Sequence, residues 1–152
     1  MELLKTPLER LIQERQLLTD LENEENSFKI QEWNSTDTTE LHLNFSLKLG
    51  TIDFNGVLVY PELFPELPAY IRPQKSGERW SILHQYGGSG VLCLEYGPDN
   101  WNTNISGVEL IRSAQILLLT DAMTVLEMDV EPVPSRHSET IGQKLRSVSE
   151  RF

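Results

Sequence analysis

Between Glu40 and Gly50 the chain reads ELHLNFSLKLG, and that alternation admits one kind of element. Leu41, Leu43, Phe45, Leu47 and Leu49 fall on one side, and His42, Asn44, Ser46 and Lys48 on the other. Successive strand side chains point to opposite faces, so this is a half-buried strand with water on one face and a core on the other. Such a strand belongs in an antiparallel sheet covered on one side. FKIQEW (28–33) before it and GVLVY (56–60) after it supply its neighbours, with NSTDT and GTIDFNG as the connecting turns.

The prolines that follow set a second constraint. YPELFPELP carries Pro61, Pro65 and Pro68, and each proline removes a backbone donor and fixes φ. Neither a helix nor an interior strand tolerates three of them so close together. The segment is therefore a stiff extended stretch, leading into a short fourth strand, AYIRP (69–73).

Period two gives way to helical spacing at both ends. Leu4, Leu8, Leu11, Leu18 and Leu21 make the apolar stripe of an amphipathic helix over about residues 2 to 23, with Glu9, Arg10, Glu14 and Arg15 on its wet face. Ser106 stands in the N-cap position of SGVELIRSAQILLLTDAMTVL, whose apolar residues wrap most of the circumference. That pattern predicts a central, largely buried helix. An extended connector, VEPVPSRH, and a short final helix in SETIGQKLRSVSERF, capped by Ser138, complete the chain. The expected fold is α+β: an N-terminal helix, a four-stranded antiparallel meander, an irregular loop, a central helix and a short C-terminal helix. The 152 residues carry no repeat, linker or low-complexity run, and read as one domain, 1–152, with 126–152 as its tail.

Composition excludes several classes of function. Thirteen basic against 23 acidic residues give a formal charge of −10, which is opposed to binding a nucleic-acid backbone and suited to a basic protein partner. Three scattered histidines and one cysteine offer no metal-ligand spacing and no internal disulfide. The N-terminus MELLKTPLERLI is too charged for a signal peptide, and the apolar run ILLL (116–119) is too short for a membrane span. The expectation is a cytoplasmic protein with Cys93 reduced.

That cysteine lies in GVLCLEYGPDNW (90–101). A free cysteine is commonly an apolar filler, and VLCL is apolar on both sides. Its surroundings point elsewhere. GGSG and GPDNW flank it, where backbone can bend to present a thiol, and His84, Gln85, Tyr86, Asp99, Asn100, Asn102 and Asn104 crowd the same stretch. Donors beside a thiol are what acyl transfer needs to hold a tetrahedral oxyanion.

Taken in order, these motifs resemble the ubiquitin-conjugating enzyme superfamily. Its proline-rich segment of aromatic-Pro-x-x-aromatic-Pro-x-x-Pro form is matched by Tyr60, Pro61, Phe64, Pro65 and Pro68. Its Gly-x-aliphatic-Cys-Leu-acid motif is matched by Gly90, Val91, Leu92, Cys93, Leu94 and Glu95, and its tryptophan eight residues later by Trp101. The likeness runs over about residues 40 to 120. It implies a ubiquitin-conjugating-enzyme-like fold with helices on one face of the meander. It also implies a transferase in which Cys93 carries the C-terminus of a ubiquitin-like modifier as a thioester and passes it to an amine of a protein target. No cofactor is implied.

The family's His-Pro-Asn element is absent, and HQY (84–86) lies in its place. Counted back from Cys93, the family's oxyanion asparagine falls at Gln85; with a loop one residue shorter, His84 takes the family histidine's position. The catalytic candidates beside Cys93 are therefore His84, Gln85, Tyr86 and Asn100, while Arg10, Arg15 and Trp101 are candidates for binding the modifier or the activating enzyme. These departures resemble divergent bacterial conjugating-enzyme-like families, which accompany activating enzymes of the ThiF type, often in anti-phage defence. Two other readings keep the fold: an inactive adaptor that binds a ubiquitin-like protein, and a structural subunit that docks through its first helix.

Overall fold

The structure, a computed structural model, describes residues 6–35 and 39–130. Period-two alternation builds its sheet: β1 (Phe28–Ser35), β2 (Leu41–Leu49), β3 (Ile52–Tyr60) and β4 (Tyr70–Pro73) pair antiparallel in the order β1-β2-β3-β4. Leu43 lies opposite Leu58, Phe45 opposite Gly56 and Leu47 opposite Phe54, so the apolar members of β2 and β3 share one face. Phe28 from β1 and Ile71 from β4 extend that face, and Leu18 and Leu21 of α1 (Pro7–Glu24) bury against it. So do Leu110, Ile111, Ala114 and Leu118 of α2 (Gly107–Val130). The domain is α+β, with two helices and one antiparallel meander among the described residues.

Several elements differ from expectation. GTIDFNG is not a turn: Ile52 and Phe54 are buried while Asp53 and Asn55 are exposed, so the alternation runs on and β3 begins two residues after Gly50. The turn is the pair Gly50–Thr51, with Gly50 at a φ of +65°, a conformation that favours glycine. Gly56 has a different reason to lack a side chain. A Cβ there would come within 2.6 Å of the Trp80 ring and 2.7 Å of the Phe45 ring, which together close the core over the sheet.

The first helix begins at a T-x-x-E box that the leucine stripe overran. Thr6 Oγ1 accepts from the Glu9 N–H at 3.1 Å, Glu9 Oε1 accepts from the Thr6 N–H at 3.1 Å, and Pro7 stands first in the helix. Leu8 is exposed, not core, and Leu4 lies outside the described residues. Glu14, expected on the wet face, is 1% exposed. Its Oε1 accepts from the Tyr60 hydroxyl at 3.0 Å and the Gly107 N–H at 2.6 Å, and Arg10 Nε donates to its Oε2 at 3.3 Å. A carboxylate at the start of α2 meets the unpaired N–H groups and positive end of the helix dipole. Gly107 leaves room for this: a Cβ there would overlap the Tyr60 hydroxyl and press on Leu58 and Glu14.

The expectation of a largely buried central helix is also corrected. Ser106 does precede α2, and Glu109 reaches back to its N–H at 3.3 Å. But Ile116, Leu119, Met123 and Leu126 are exposed, because α2 lies against the sheet by one face only. The helix also runs to Val130, four residues past the expected end. The rest of the tail, including the expected final helix at 138–152, lies outside the described residues. No helix among the described residues is long and apolar enough to cross a membrane.

Candidate active site

The chain between β4 and α2 carries Cys93, His84, Gln85, Tyr86, Asn100 and Trp101, and one buried amide sets its shape. Gln85 is 7% exposed. Its Oε1 accepts from the Trp80 N–H at 2.7 Å and the Ser81 N–H at 3.1 Å, while its Nε2 donates to the Glu78 carbonyl at 2.9 Å and the Gly90 carbonyl at 3.0 Å. A side-chain amide has two donors and two acceptor sites, and all are used. Gln85 therefore organises the loop, and its N–H groups are committed away from any oxyanion. Arg79 braces the same turn, donating to the carbonyls of Gln85 and Ser81 at 3.2 and 3.1 Å.

Opposite Gln85 lies Leu92, also buried, and the two make a short antiparallel bridge. The Leu92 N–H donates to the Ile71 carbonyl of β4 at 2.9 Å, which pins the cysteine segment to the sheet edge. Cys93 comes next and is half-buried, so the thiol is not an enclosed core filler. It lines a cleft of about 470 Å³ with Tyr70, Tyr86, Tyr96, Pro68 and Asn100. Burial raises the Tyr70 hydroxyl above the ordinary tyrosine range, and the nearby Glu40 carboxylate adds to this against the opposing Arg72. Tyr70 accordingly stands in the cleft wall as a neutral phenol. A half-buried sulfur in an open cleft walled by tyrosines, with Glu95 and Asp99 also on its lining, leaves room for an extended acyl chain laid along it.

The remaining candidates divide. Tyr86 is exposed at the cleft. Asn100 closes a turn, its Oδ1 accepting from the Gly97 N–H at 2.8 Å and its Nδ2 donating to the Glu95 carbonyl at 2.7 Å. One Nδ2 hydrogen remains beyond that bond. His84 is exposed, and its carbonyl accepts from the Cys93 N–H at 2.8 Å. Trp101 is committed to the proline segment: its indole N–H donates to the Pro65 carbonyl at 2.8 Å and its ring packs 6.1 Å from Phe64, tying that segment down.

Arg10 and Arg15 are not equivalent. Arg15 is exposed. Arg10 is mostly covered: it donates to the Thr103 carbonyl, to the Ile105 carbonyl at 2.8 Å and to Glu14, and lies over the Phe64 ring at 5.0 Å. It holds the approach to α2 and is not a solvated docking charge.

Three polar residues escaped the sequence reading. Ser113 Oγ accepts from the Glu95 N–H at 2.9 Å, tethering the loop to α2. Ser81 Oγ donates to Asp121 Oδ2 at 2.6 Å, and both are buried. Asp121 did leave a signal, as the one charge between Arg112 and Glu127 in an otherwise apolar helix. A lone acid there demands a buried partner. Among the described residues no group of three potential ligands is placed to hold a metal. Comparison with models of known protein families found no match to this chain, and comparison with curated proteins found none.

Proposed function

We propose that this protein is a conjugating enzyme for a ubiquitin-like modifier, charged on Cys93 by an activating enzyme of the ThiF type, in a bacterial defence pathway. The observation that carries the reading is the place of Cys93. It is half-buried, in a tyrosine-lined cleft, on a loop fastened to the last strand of a four-stranded meander. The fold reading is the ubiquitin-conjugating-enzyme-like one, supported by the meander, the proline segment under Trp101, and the helix that follows the cysteine. In the first step Sγ attacks the activating enzyme's thioester, forming a new C–S bond as the old one breaks. An amine of the target then attacks the Cys93 thioester carbonyl, the amide C–N bond forming as the C–S bond to Cys93 breaks and the departing sulfur taking the amine's proton. A cysteine sulfur serves as nucleophile in the first step and leaving group in the second.

One observation favours a second reading, the adaptor that binds a ubiquitin-like protein without charging. Both N–H groups of Gln85 are engaged within the loop, so the residue in the family asparagine's place has none for the oxyanion. Incubation with a ThiF-type activating enzyme, its modifier and ATP separates the two. The enzyme reading expects a reductant-sensitive adduct that Cys93→Ala abolishes. Binding of the modifier with no adduct, beside an activating enzyme that charges itself, would establish the adaptor.

A further inference from the structure

The loop turns back on itself, and its outward face sets two residues side by side. Gln85 and Leu92 form the bridge and point inward. The bonds flanking that bridge run from the Cys93 N–H to the His84 carbonyl at 2.8 Å and from the Tyr86 N–H to the Val91 carbonyl at 2.9 Å. In this antiparallel pattern, residues one step from the bridge lie opposite each other and face the other way. His84 and Cys93 are thus cross-strand partners, and the Cβ atoms of such pairs stand about 5 Å apart.

The His84 ring has a second neighbour. Its Nδ1 lies 3.7 Å from Asp121 Oδ1, on α2. Asp121 Oδ2 accepts from the Ser81 hydroxyl at 2.6 Å, and Ser81 Oγ accepts from the His84 N–H at 2.9 Å. One buried carboxylate therefore stands within ion-pair distance of the imidazole, at 3.7 Å, and anchors the backbone of the same residue through Ser81. A clamp on the loop alone would need one acceptor for the serine. Here the other oxygen lies toward the ring of His84, the residue paired across the ribbon with Cys93.

We infer that Asp121 is a positioning residue that sets the His84 imidazole beside Cys93, and that His84 takes the thiol proton when the sulfur attacks. Nδ1 faces the carboxylate, which leaves Nε2 as the working atom. In charging, the proton passes from Sγ to Nε2 while the Sγ–carbon bond forms. As the carbon–sulfur bond to the activating enzyme breaks, the departing sulfur takes that proton. Asp121 stabilises the imidazolium in between. The inference rests on reading Cys93 as a nucleophile, though its test needs no modifier.

The test is the alkylation rate of Cys93, the only cysteine, by iodoacetamide in the full chain, followed by intact mass. His84→Gln alters an exposed side chain, and Asp121→Asn keeps an oxygen for Ser81. Each should slow alkylation by about tenfold or more. With His84 already replaced, Asp121→Asn should add nothing further, because it acts through that ring. Alkylation of His84→Gln at the wild-type rate would overturn the proposal. So would an equal slowing by Asp121→Asn with and without His84, which would mark Asp121 as a fold residue only. If alkylation behaves as expected and no thioester forms beside a working activating enzyme, the conjugating reading fails and the thiol–imidazole–carboxylate unit stands.

Discussion

The Tyr60 hydroxyl donates to Glu14 Oε1 at 3.0 Å, joining the end of β3 to the middle of α1 where both side chains are buried. The same oxygen receives the first N–H of α2, so one carboxylate ties together three elements around the approach to the cysteine loop. Tyr60→Phe keeps the ring, which packs edge-on to Phe64 at 4.7 Å, and removes only the donor. Hydrogen bonds to charged groups contribute about 1.5–3 kcal/mol, so urea unfolding should show a loss of about 2 kcal/mol. An unchanged midpoint would contradict the role given to Glu14.

Alkaline pH should weaken the same joint. Burial first, and then the Glu14 carboxylate, hold the Tyr60 hydroxyl well above the ordinary tyrosine range. The unfolded chain releases this proton at about pH 10, whereas the native protein keeps it. Between those two values the native state binds more protons, so stability present below pH 10 falls as pH rises further. Thermal unfolding from pH 8 to 11 should show a midpoint that drops above about pH 10. The drop should be smaller in Tyr60→Phe.

The two arginines of α1 should separate cleanly. Arg10→Ala leaves Glu14 without its cation and removes donors from the Thr103 and Ile105 carbonyls, and should destabilise by about 3 kcal/mol. Arg15→Glu, at an exposed position, should stay within about 0.5 kcal/mol of wild type. Thermal unfolding of the two variants compares them directly. If α1 docks the activating enzyme, Arg15→Glu reports that docking without disturbing the fold.

Gln85→Glu probes the loop from within. The carboxylate still accepts from Trp80 and Ser81, but faces the carbonyls of Glu78 and Gly90 with no N–H to offer. Two part-buried carbonyls lose their donor and face a carboxylate instead, at a cost of about 2–4 kcal/mol. Hydrogen exchange should quicken over residues 78–93 while the β2–β3 ladder stays protected, and equal exchange in both regions would contradict an amide-organised loop.

What could be read from the chain, and what could not, follows from the range of each interaction. Strand β2 was legible because alternation is a local pattern imposed by one covered face, and Leu43, Phe45 and Leu47 are all buried. The start of β3 at Ile52 and Phe54 was missed, because Gly50, Asn55 and Gly56 read as turn chemistry and hid its alternation. Glu14 was misread because its partners, Tyr60 and Gly107, lie 46 and 93 residues away, and helical spacing cannot show a long-range contact. The loop around Cys93 was legible as a set of polar candidates, but the division of labour among them was not. Gln85 turned inward because a long amide can replace the backbone ladder of an irregular loop. His84 turned outward because it stands one step away from Gln85 along the same ribbon. Asp121 belonged to another element altogether.

The central claim is that Cys93 bears the modifier, and replacing its sulfur by an amine tests that most directly. Cys93→Lys would be incubated with a ThiF-type activating enzyme, its ubiquitin-like modifier and ATP, and compared with wild type by intact mass before and after reductant. The account predicts one modifier per chain in both, removed by reductant from wild type and retained as an amide in Cys93→Lys. No adduct on either protein, beside an activating enzyme carrying its own thioester, would contradict it.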